Sequence, residues 1–532
     1  MRAKLNNPTF VSRHSNLLAI VAAFVSLAVG MLPANSAAQS KQSPLEALRA
    51  AEAGLTDLIA RVEPAIVAVS QLPTNGTTRT NNPRLGVADP FGNLRGLTNN
   101  EPPTVSGAGI VIDANGLVLT QYLAIDLDNK HRITTGSGKT YDAKIKAADP
   151  RSGLAVLEIK AADLPALPIG KAEKLRKGSF VLAVGNPYTI VADGQPTASV
   201  GAVTNLGQRI GDDVNLNNTF TKNVYNQSTF KTTLHHFGTL IQTDARLGWN
   251  AAGGALINLQ GELVGVTTTA STTAGHEQPA GYAIPLNKTF RRVVDTLRKG
   301  EEVEYGMLGI RFDRVGVASV PTGVQVSSSL PGWPAAKAGL RSGDIIIEID
   351  GQPIRNGEDL QLAVGSLPPQ SPTPVKFLRS GETDKTEVAL AKQYVPGKKI
   401  VTNRGPAWRG VRVDHSTAVP PQQLLDIAGN LQSVPPDCVV VSEVDPRSVS
   451  WKQGVRPGMF ISHVGETRVT NPQAFYRAVG QSDNSIKLRF IGGNKPAADQ
   501  AAREVPNRRP KPRAPQQLQL PLRLQPIPLE NP

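Results

Sequence analysis

Gln242–Asn258 reads QTDARLGWNAAGGALIN. Polar Gln-Thr-Asp closes one apolar run, the pair Gly253–Gly254 makes a turn, and Ala-Leu-Ile opens the next run. Glycine turns a chain through backbone conformations closed to other side chains, so this stretch reads as a loop between two strands. The same rhythm runs outward from it. From 105 to about 285, short apolar runs such as AGIVID, GLVLTQ, LAVLEIK, FVLAVG, ELVGVTTT and GYAIP alternate with Gly, Asn, Asp and Pro. Strands of that length at that density predict an all-β sandwich or barrel. A polar, Asn/Thr-rich insertion at 205–238 interrupts the series.

The chain around this block has 532 residues, room for about three or four domains. The 49 glycines and 42 prolines favour β-rich domains with many turns plus some disorder. Net charge is +14, and part of the excess is local: the last 39 residues carry seven basic and three acidic side chains. That balance suits weak contact with anionic surfaces. It is poor evidence for nucleic-acid binding, because no basic patch carries interleaved aromatics. The single cysteine, Cys438, excludes an intrachain disulfide and reads as a small core residue.

The N-terminus carries an address. Arg2, Lys4 and Arg13 precede an apolar run from Leu17 to Leu32, followed by Pro33 and small residues through Ala38. A charged segment, an apolar segment and a small-residue site predict an export signal cleaved before Gln39; an uncleaved membrane anchor is the alternative. Residues 39–104 then hold a helix begun by Ser43 and Pro44, a strand AIVAVS at 65–70, and a long polar loop. Beyond Pro285, Asn287 can cap a helix whose face is Phe290, Val293, Val294 and Leu297, with Gly300 to end it.

Taken together, SGAGIVIDANGLVLTQ, DPRSGLAVLEIK, VLAVGNP, LIQTDA, GGALIN, GELVGV and GYAIP resemble, in order and spacing, the protease domain of the HtrA/Deg family. The resemblance implies a mainly β chain: a trypsin-like double β-barrel at 105–300, then PDZ domains. It also implies a His-Asp-Ser triad, and here this sequence departs from the family. The histidine's place in GLVLTQYL is Leu123. The aspartate's place in DPRSGLA is Gly153. The serine's place in NAAGGAL is Ala252, with Asn250 and Ala251 in the oxyanion loop. Leucine cannot take a proton, alanine cannot attack, and glycine cannot orient an imidazole. A rebuilt pair from Ser271 and His276 would need a new oxyanion hole, and His131, His235 and His236 read as surface loop residues. No cofactor motif and no metal-ligand spacing of His, Cys, Asp or Glu is present.

Residues 301–395 resemble a PDZ domain of the same family. Tyr305-Gly306-Met307-Leu308-Gly309-Ile310 matches the carboxylate-binding loop and its following strand, which implies that the N–H groups of Met307, Leu308 and Gly309 receive a peptide C-terminus and that the peptide adds beside Ile310. Residues 405–493 repeat the pattern in diverged form. Trp408-Arg409-Gly410-Val411 stands at the loop, and GVRPGMFI echoes GLRSGDII. Residues 494–532 hold nine prolines and read as a disordered, basic tail. The expected function is that of an exported pseudoprotease of the periplasm or cell envelope. It would bind unfolded polypeptides or protein C-termini as chaperone, scaffold or regulatory subunit. It would form a homo-trimer or a hetero-oligomer with active relatives, as the resemblance implies. An active serine endopeptidase is the alternative.

Overall fold

The computed structural model describes residues 43–72, 106–128, 130–186, 195–208, 233–246, 252–268, 281–312, 323–405, 407–420, 437–481 and 486–491. The export signal, most of the loop to 104, most of the 205–238 insertion, Asn250, Ala251, Ser271, His276 and the 494–532 tail lie outside these residues.

The first compact unit ends at Arg61 and carries helix α1, Pro44–Val62, but for its last residue. Ser43 opens it as predicted: its Oγ accepts from the Glu46 N–H at 3.2 Å, while Glu46 accepts from the Ser43 N–H at 2.7 Å. This reciprocal pair satisfies two helix-end donors. No described helix is long and apolar enough to cross a membrane.

The second unit, Val62–Pro532, is mainly β. Its first six strands are β1 (Ile66–Leu72), β2 (Ser106–Asp113), β3 (Leu117–Gln121), β4 (Lys130–Thr134), β5 (Thr140–Asp149) and β6 (Leu154–Ile159). They run in the order β5-β4-β1-β2-β3-β6, and β6 pairs back onto β5 to close a barrel. A second closed barrel has the order β10-β11-β12-β9-β8-β7. Its strands are β7 (Phe180–Gly185), β8 (Thr197–Gln208), β9 (Leu240–Thr243), β10 (Ala255–Asn258), β11 (Leu263–Thr268) and β12 (Gly281–Pro285). Closure removes the unpaired edges an open sheet would present. The interior of the second barrel is aliphatic, with Val181, Ala183, Val203, Ile241, Leu256 and Val264 buried together. Helix α2, Lys288–Arg298, follows as the periodicity predicts: Asn287 accepts from the Phe290 N–H, and Phe290, Val293, Val294 and Leu297 are buried.

The first PDZ module contains β13 (Gly306–Met307), β14 (Ile310–Phe312), β15 (Val324–Ser329), α3 (Pro334–Lys337), β16 (Ile345–Ile349), β17 (Gln352–Pro353), α4 (Gly357–Gly365), β18 (Pro372–Arg379), β19 (Glu382–Ala389) and β20 (Ala391–Lys392). The second contains β22 (Val411–His415), β23 (Val439–Val444), α5 (Val449–Lys452), β24 (Phe460–Val464), β25 (Thr467–Arg468), α6 (Pro472–Gly480) and β26 (Leu488–Ile491). Each has its own apolar core. Between them lies β21, Ile400–Val401, which leaves both modules and pairs with β5 of the first barrel, Ile400 opposite Ala148 and Val401 opposite Ala147. The connection between modules is thereby a strand of the barrel sheet.

Candidate functional site

Leu123, Gly153 and Ala252 are brought onto adjoining turns. Leu123 lies in the 3-10 turn Tyr122–Ala124. On one side of it, the Tyr122 N–H donates to the Gly153 carbonyl at 2.8 Å. On the other, a Cβ on Gly107 would stand 2.8 Å from Ala124 Cβ and 2.9 Å from the Ala252 carbonyl oxygen, so both turns press against the same glycine. The Ala252 carbonyl also accepts from the Ala108 N–H at 2.8 Å. Gly253 has φ +84°, and a side chain there would run into the Ala108 carbonyl and Thr120 Oγ1. The Ala108–Ala252 bond joins the two barrels, and Leu123 and Gly153 lie on adjoining turns of the first.

Gly153, which the resemblance sets at the aspartate's place, faces a histidine. Gly153 has φ +71°, and a Cβ there would stand 2.8 Å from His235 Nε2. His235 enters from the 3-10 turn Leu234–Phe237. Its ring stacks on Phe290 with centroids 6.0 Å apart and planes 8° from parallel. Its Nε2 lies 2.9 Å from the Ser152 carbonyl, which can only accept, so the proton sits on Nε2. Burial, outweighing that carbonyl, pulls the imidazole pKa down to about 4. His235 is therefore a neutral core residue, which corrects the surface-loop expectation; long-range packing on α2, invisible in the local sequence, buries it. His131 is corrected likewise: it lies buried on β4, and its Nε2 accepts from the Asp126 N–H at 3.2 Å. His236 is partly buried.

The Gly153 turn is tied to the first PDZ module. Tyr305 donates its hydroxyl proton to Asp149 Oδ2, which also accepts from the Ser152 N–H at 2.8 Å. The Tyr305 ring is flanked by the Arg151 guanidinium at 5.0 Å and that of Arg292 at 5.8 Å. Burial pushes the Asp149 carboxyl above its usual range, partly offset by the bonds from Ser152 and Tyr305. The β21 connection adds a strap: Tyr122 Oη donates to the Lys398 carbonyl at 2.9 Å, Lys398 pairs with Asp128, and Gly397 lies against Pro150.

The loop Met307–Ile310 has an ordered shape. Its Leu308 and Gly309 carbonyls accept from Ala335 and Leu330 N–H groups, each at 3.0 Å. Gly309 has φ +76°, and a Cβ there would stand 2.5 Å from Trp333 Cβ. Ile310–Phe312 pairs with β15 on one side. The corresponding loop of the second module has a different shape. Arg409 and Gly410 have φ +48° and +84°, both left-handed, and Trp408 and Val411 exchange N–H···O bonds of 2.9 and 2.8 Å. That is a closed two-residue turn, and it spends the amides of Trp408 and Val411 on each other.

Glu304, Asp414 and His415 also converge, with one possible ligand atom from each within 4.8 Å of the others, a grouping that no local spacing reveals. The space is claimed by the buried Lys392, whose Nζ lies 2.9 Å from Glu304 and Asp414 and 3.0 Å from Glu302. Burial opposes the ammonium charge, but Asp414, Glu302 and Glu304 outweigh it and raise its pKa. The donor set therefore fits an ammonium ion rather than a metal.

The trypsin-like peptidase domain family matches residues 107–266, and the PDZ domain family matches residues 306–390. The periplasmic pH-dependent serine endoprotease DegQ of Escherichia coli K12 is 30% identical over 400 residues, spanning 73% of this chain and 78% of that protein. A probable periplasmic serine endoprotease, DegP-like, of Halomonas elongata is 26% identical over 468 residues, spanning 82% and 91%. A solved structure, HtrA-type protease AlgW with decapeptide, is 24% identical, with a TM-score of 0.44, over 64% of this chain and 99% of that one.

Proposed function

The chain belongs to the HtrA/Deg family, and from that premise we propose that it is an exported pseudoprotease that binds polypeptides without cutting them. The observation that carries this reading is that Leu123, Gly153 and Ala252 lie on adjoining turns without a catalytic side chain among them, and that His235 Nε2 stands 2.8 Å from where a Cβ at 153 would be. A triad's groups act as a unit, and their loss costs on the order of 10⁶ in turnover. His235 is no substitute base, since its Nε2 proton is held by the Ser152 carbonyl and burial, lowering its pKa to about 4, makes the ring a weak proton acceptor. Export is supported by the N-terminal signal pattern and by the periplasmic names of the relatives.

The remaining work falls to Met307–Ile310. With the carbonyls of Leu308 and Gly309 turned to α3 and its lead-in, the loop's N–H groups suit a peptide carboxylate, and an extended peptide would add along β14 toward α4. The ligands on this reading are unfolded segments or protein C-termini. Association through the protease-like domain, as a trimer or with active relatives, is favoured by an apolar patch: Phe180 is 61% exposed, and Leu259, which follows the Asn258 paired with Val181, is 49% exposed.

One preparation tests the reading. The purified chain is incubated with unfolded casein, with a fluorophosphonate probe, and with C-terminal peptides. Peptide binding without turnover or labelling is expected. Hydrolysis or labelling that copurifies with the chain would restore the active endopeptidase.

A further inference from the structure

Trp333 joins two modules. Its ring forms the floor under Gly309, and the side chain, 4% exposed, is buried among Val419, Cys438, Val440 and Phe460 of the second module, with Met307 of the carboxylate loop packed alongside. Around this apolar seam lie polar ties. Lys337 pairs with Asp437 at 2.6 Å, Lys392 of β20 pairs with Asp414 of β22 at 2.9 Å, and Thr417 Oγ1 donates to the Lys392 carbonyl at 2.7 Å. β20 is the strand that pairs with Gly306–Met307. The carboxylate loop is therefore held from beneath by Trp333 and from the side by β20, and both rest on the second module.

The second module's own groove is closed. Its loop is the tight Trp408–Val411 turn, and the Val413 N–H on strand β22, which an added peptide strand would need, donates to Tyr476 Oη of α6 at 3.3 Å. Phe475 fills the space beneath, with its ring 6.0 Å from that of Trp408 and edge-on to it.

We propose that the second module is a buttress for the first module's carboxylate loop: one peptide-carboxylate site built on two modules, with Trp333 as its positioning residue. The proposal rests on the peptide-binding reading of Met307–Ile310. A glycine loop that must present several N–H groups to one carboxylate loses binding when its floor moves by a fraction of an ångström, because preorganisation limits the ordering cost of association. The face of β23 that carries Val440 supplies that floor's support and spends no residue on a ligand of its own.

The test uses the full-length chain and a fluorescein-labelled decapeptide ending in a free Leu-Val carboxylate, with its C-terminal amide as control. Val440→Asp places a carboxylate against Trp333. Cys438, buried in the same seam, reports undocking through its reaction with a thiol reagent. The expected result is that V440D exposes Cys438 and weakens the acid peptide at least tenfold, while the weaker amide peptide is unchanged. Should V440D fail to fold, Lys337→Glu undocks the modules from their exposed rim and is read in the same way. If Cys438 becomes reactive while the acid peptide binds within twofold of wild type, the buttress is overturned and the groove reading stands. If wild type itself does not distinguish acid from amide, the peptide-carboxylate reading falls first.

Discussion

His235 stands where a side chain at Gly153 would go: the imidazole Nε2 lies 2.8 Å from where a Cβ at 153 would be, closer than non-bonded atoms approach. On the proposed reading, the triad is repacked as well as depleted. Gly153→Asp is expected to destabilise the fold by about 2–3 kcal/mol, combining overpacking with left-handed strain. In a His235→Ala background about half of that cost should vanish, a coupling that denaturation of the four chains would measure. Equal costs in both backgrounds would contradict the plug. The variant with Leu123→His, Gly153→Asp and Ala252→Ser should remain unlabelled by fluorophosphonate.

The same histidine sets a pH dependence. Burial lowers its pKa from the ordinary 6.5 to about 4, so between those values the unfolded chain holds a proton that the folded chain does not. Stability from this source is complete above about pH 6.5 and falls as the pH drops toward 4, by up to about 3 kcal/mol. The urea midpoint should fall between pH 7 and pH 5. In His235→Gln the slope should be shallower, with His131 and His415, also lowered by burial, supplying the remainder.

Tyr305→Phe removes the hydroxyl that donates to the buried Asp149. A buried carboxylate that loses a hydrogen-bond donor costs about 2–3 kcal/mol. Because Tyr305 begins the first PDZ module and Asp149 ends β5, the variant should also loosen that module from the barrel. Limited proteolysis should then cut within 299–305 faster than in wild type.

Lys392→Met leaves Glu302, Glu304 and Asp414 without their shared cation. Breaking a fully buried pair costs about 3–5 kcal/mol; these carboxylates are partly exposed and Glu302 keeps Lys399, so the melting temperature should fall by a smaller amount. In wild type Lys392 and Lys399 outweigh burial and hold the Glu302 carboxyl down at about 2, so Glu302 stays ionised well into acid. Millimolar zinc or EDTA should leave wild-type melting unmoved.

Phe180→Glu puts a charge into the exposed apolar patch of the second barrel. If copies associate there, size-exclusion chromatography with light scattering should show wild type as a multimer and the variant as a monomer. A wild-type monomer would remove the patch as an interface.

Local chemistry was the legible part. Asn287, the spacing of Phe290, Val293, Val294 and Leu297, and Gly300 announce α2 because caps and a 3.6-residue period act within one turn. The flanking glycines and apolar runs are what the proposed triad positions Leu123, Gly153 and Ala252 were read from. What escaped depends on contacts far apart in sequence. His235 looks like any polar insertion residue until Phe290 stacks on it. Lys392 looks like a surface lysine until Glu302, Glu304 and Asp414 surround it. Trp408-Arg409-Gly410-Val411 matches a loop pattern by composition, but two consecutive left-handed residues close it into a turn, and composition does not state φ.

Ile400 and Val401 pair with β5, and this changes what kind of object the connection between the modules is. A flexible tether lets its cargo sample a volume that grows with the length of the chain. A connection laid into a sheet behaves like a ruler: its length can change only in whole residues, and each step of one turns every side chain in the strand to the opposite face. Inserting a single residue at 397–399 would therefore set the second module in a new orientation or tear β21 away. The spacing between the two modules is quantised, and natural variation there should come in pairs.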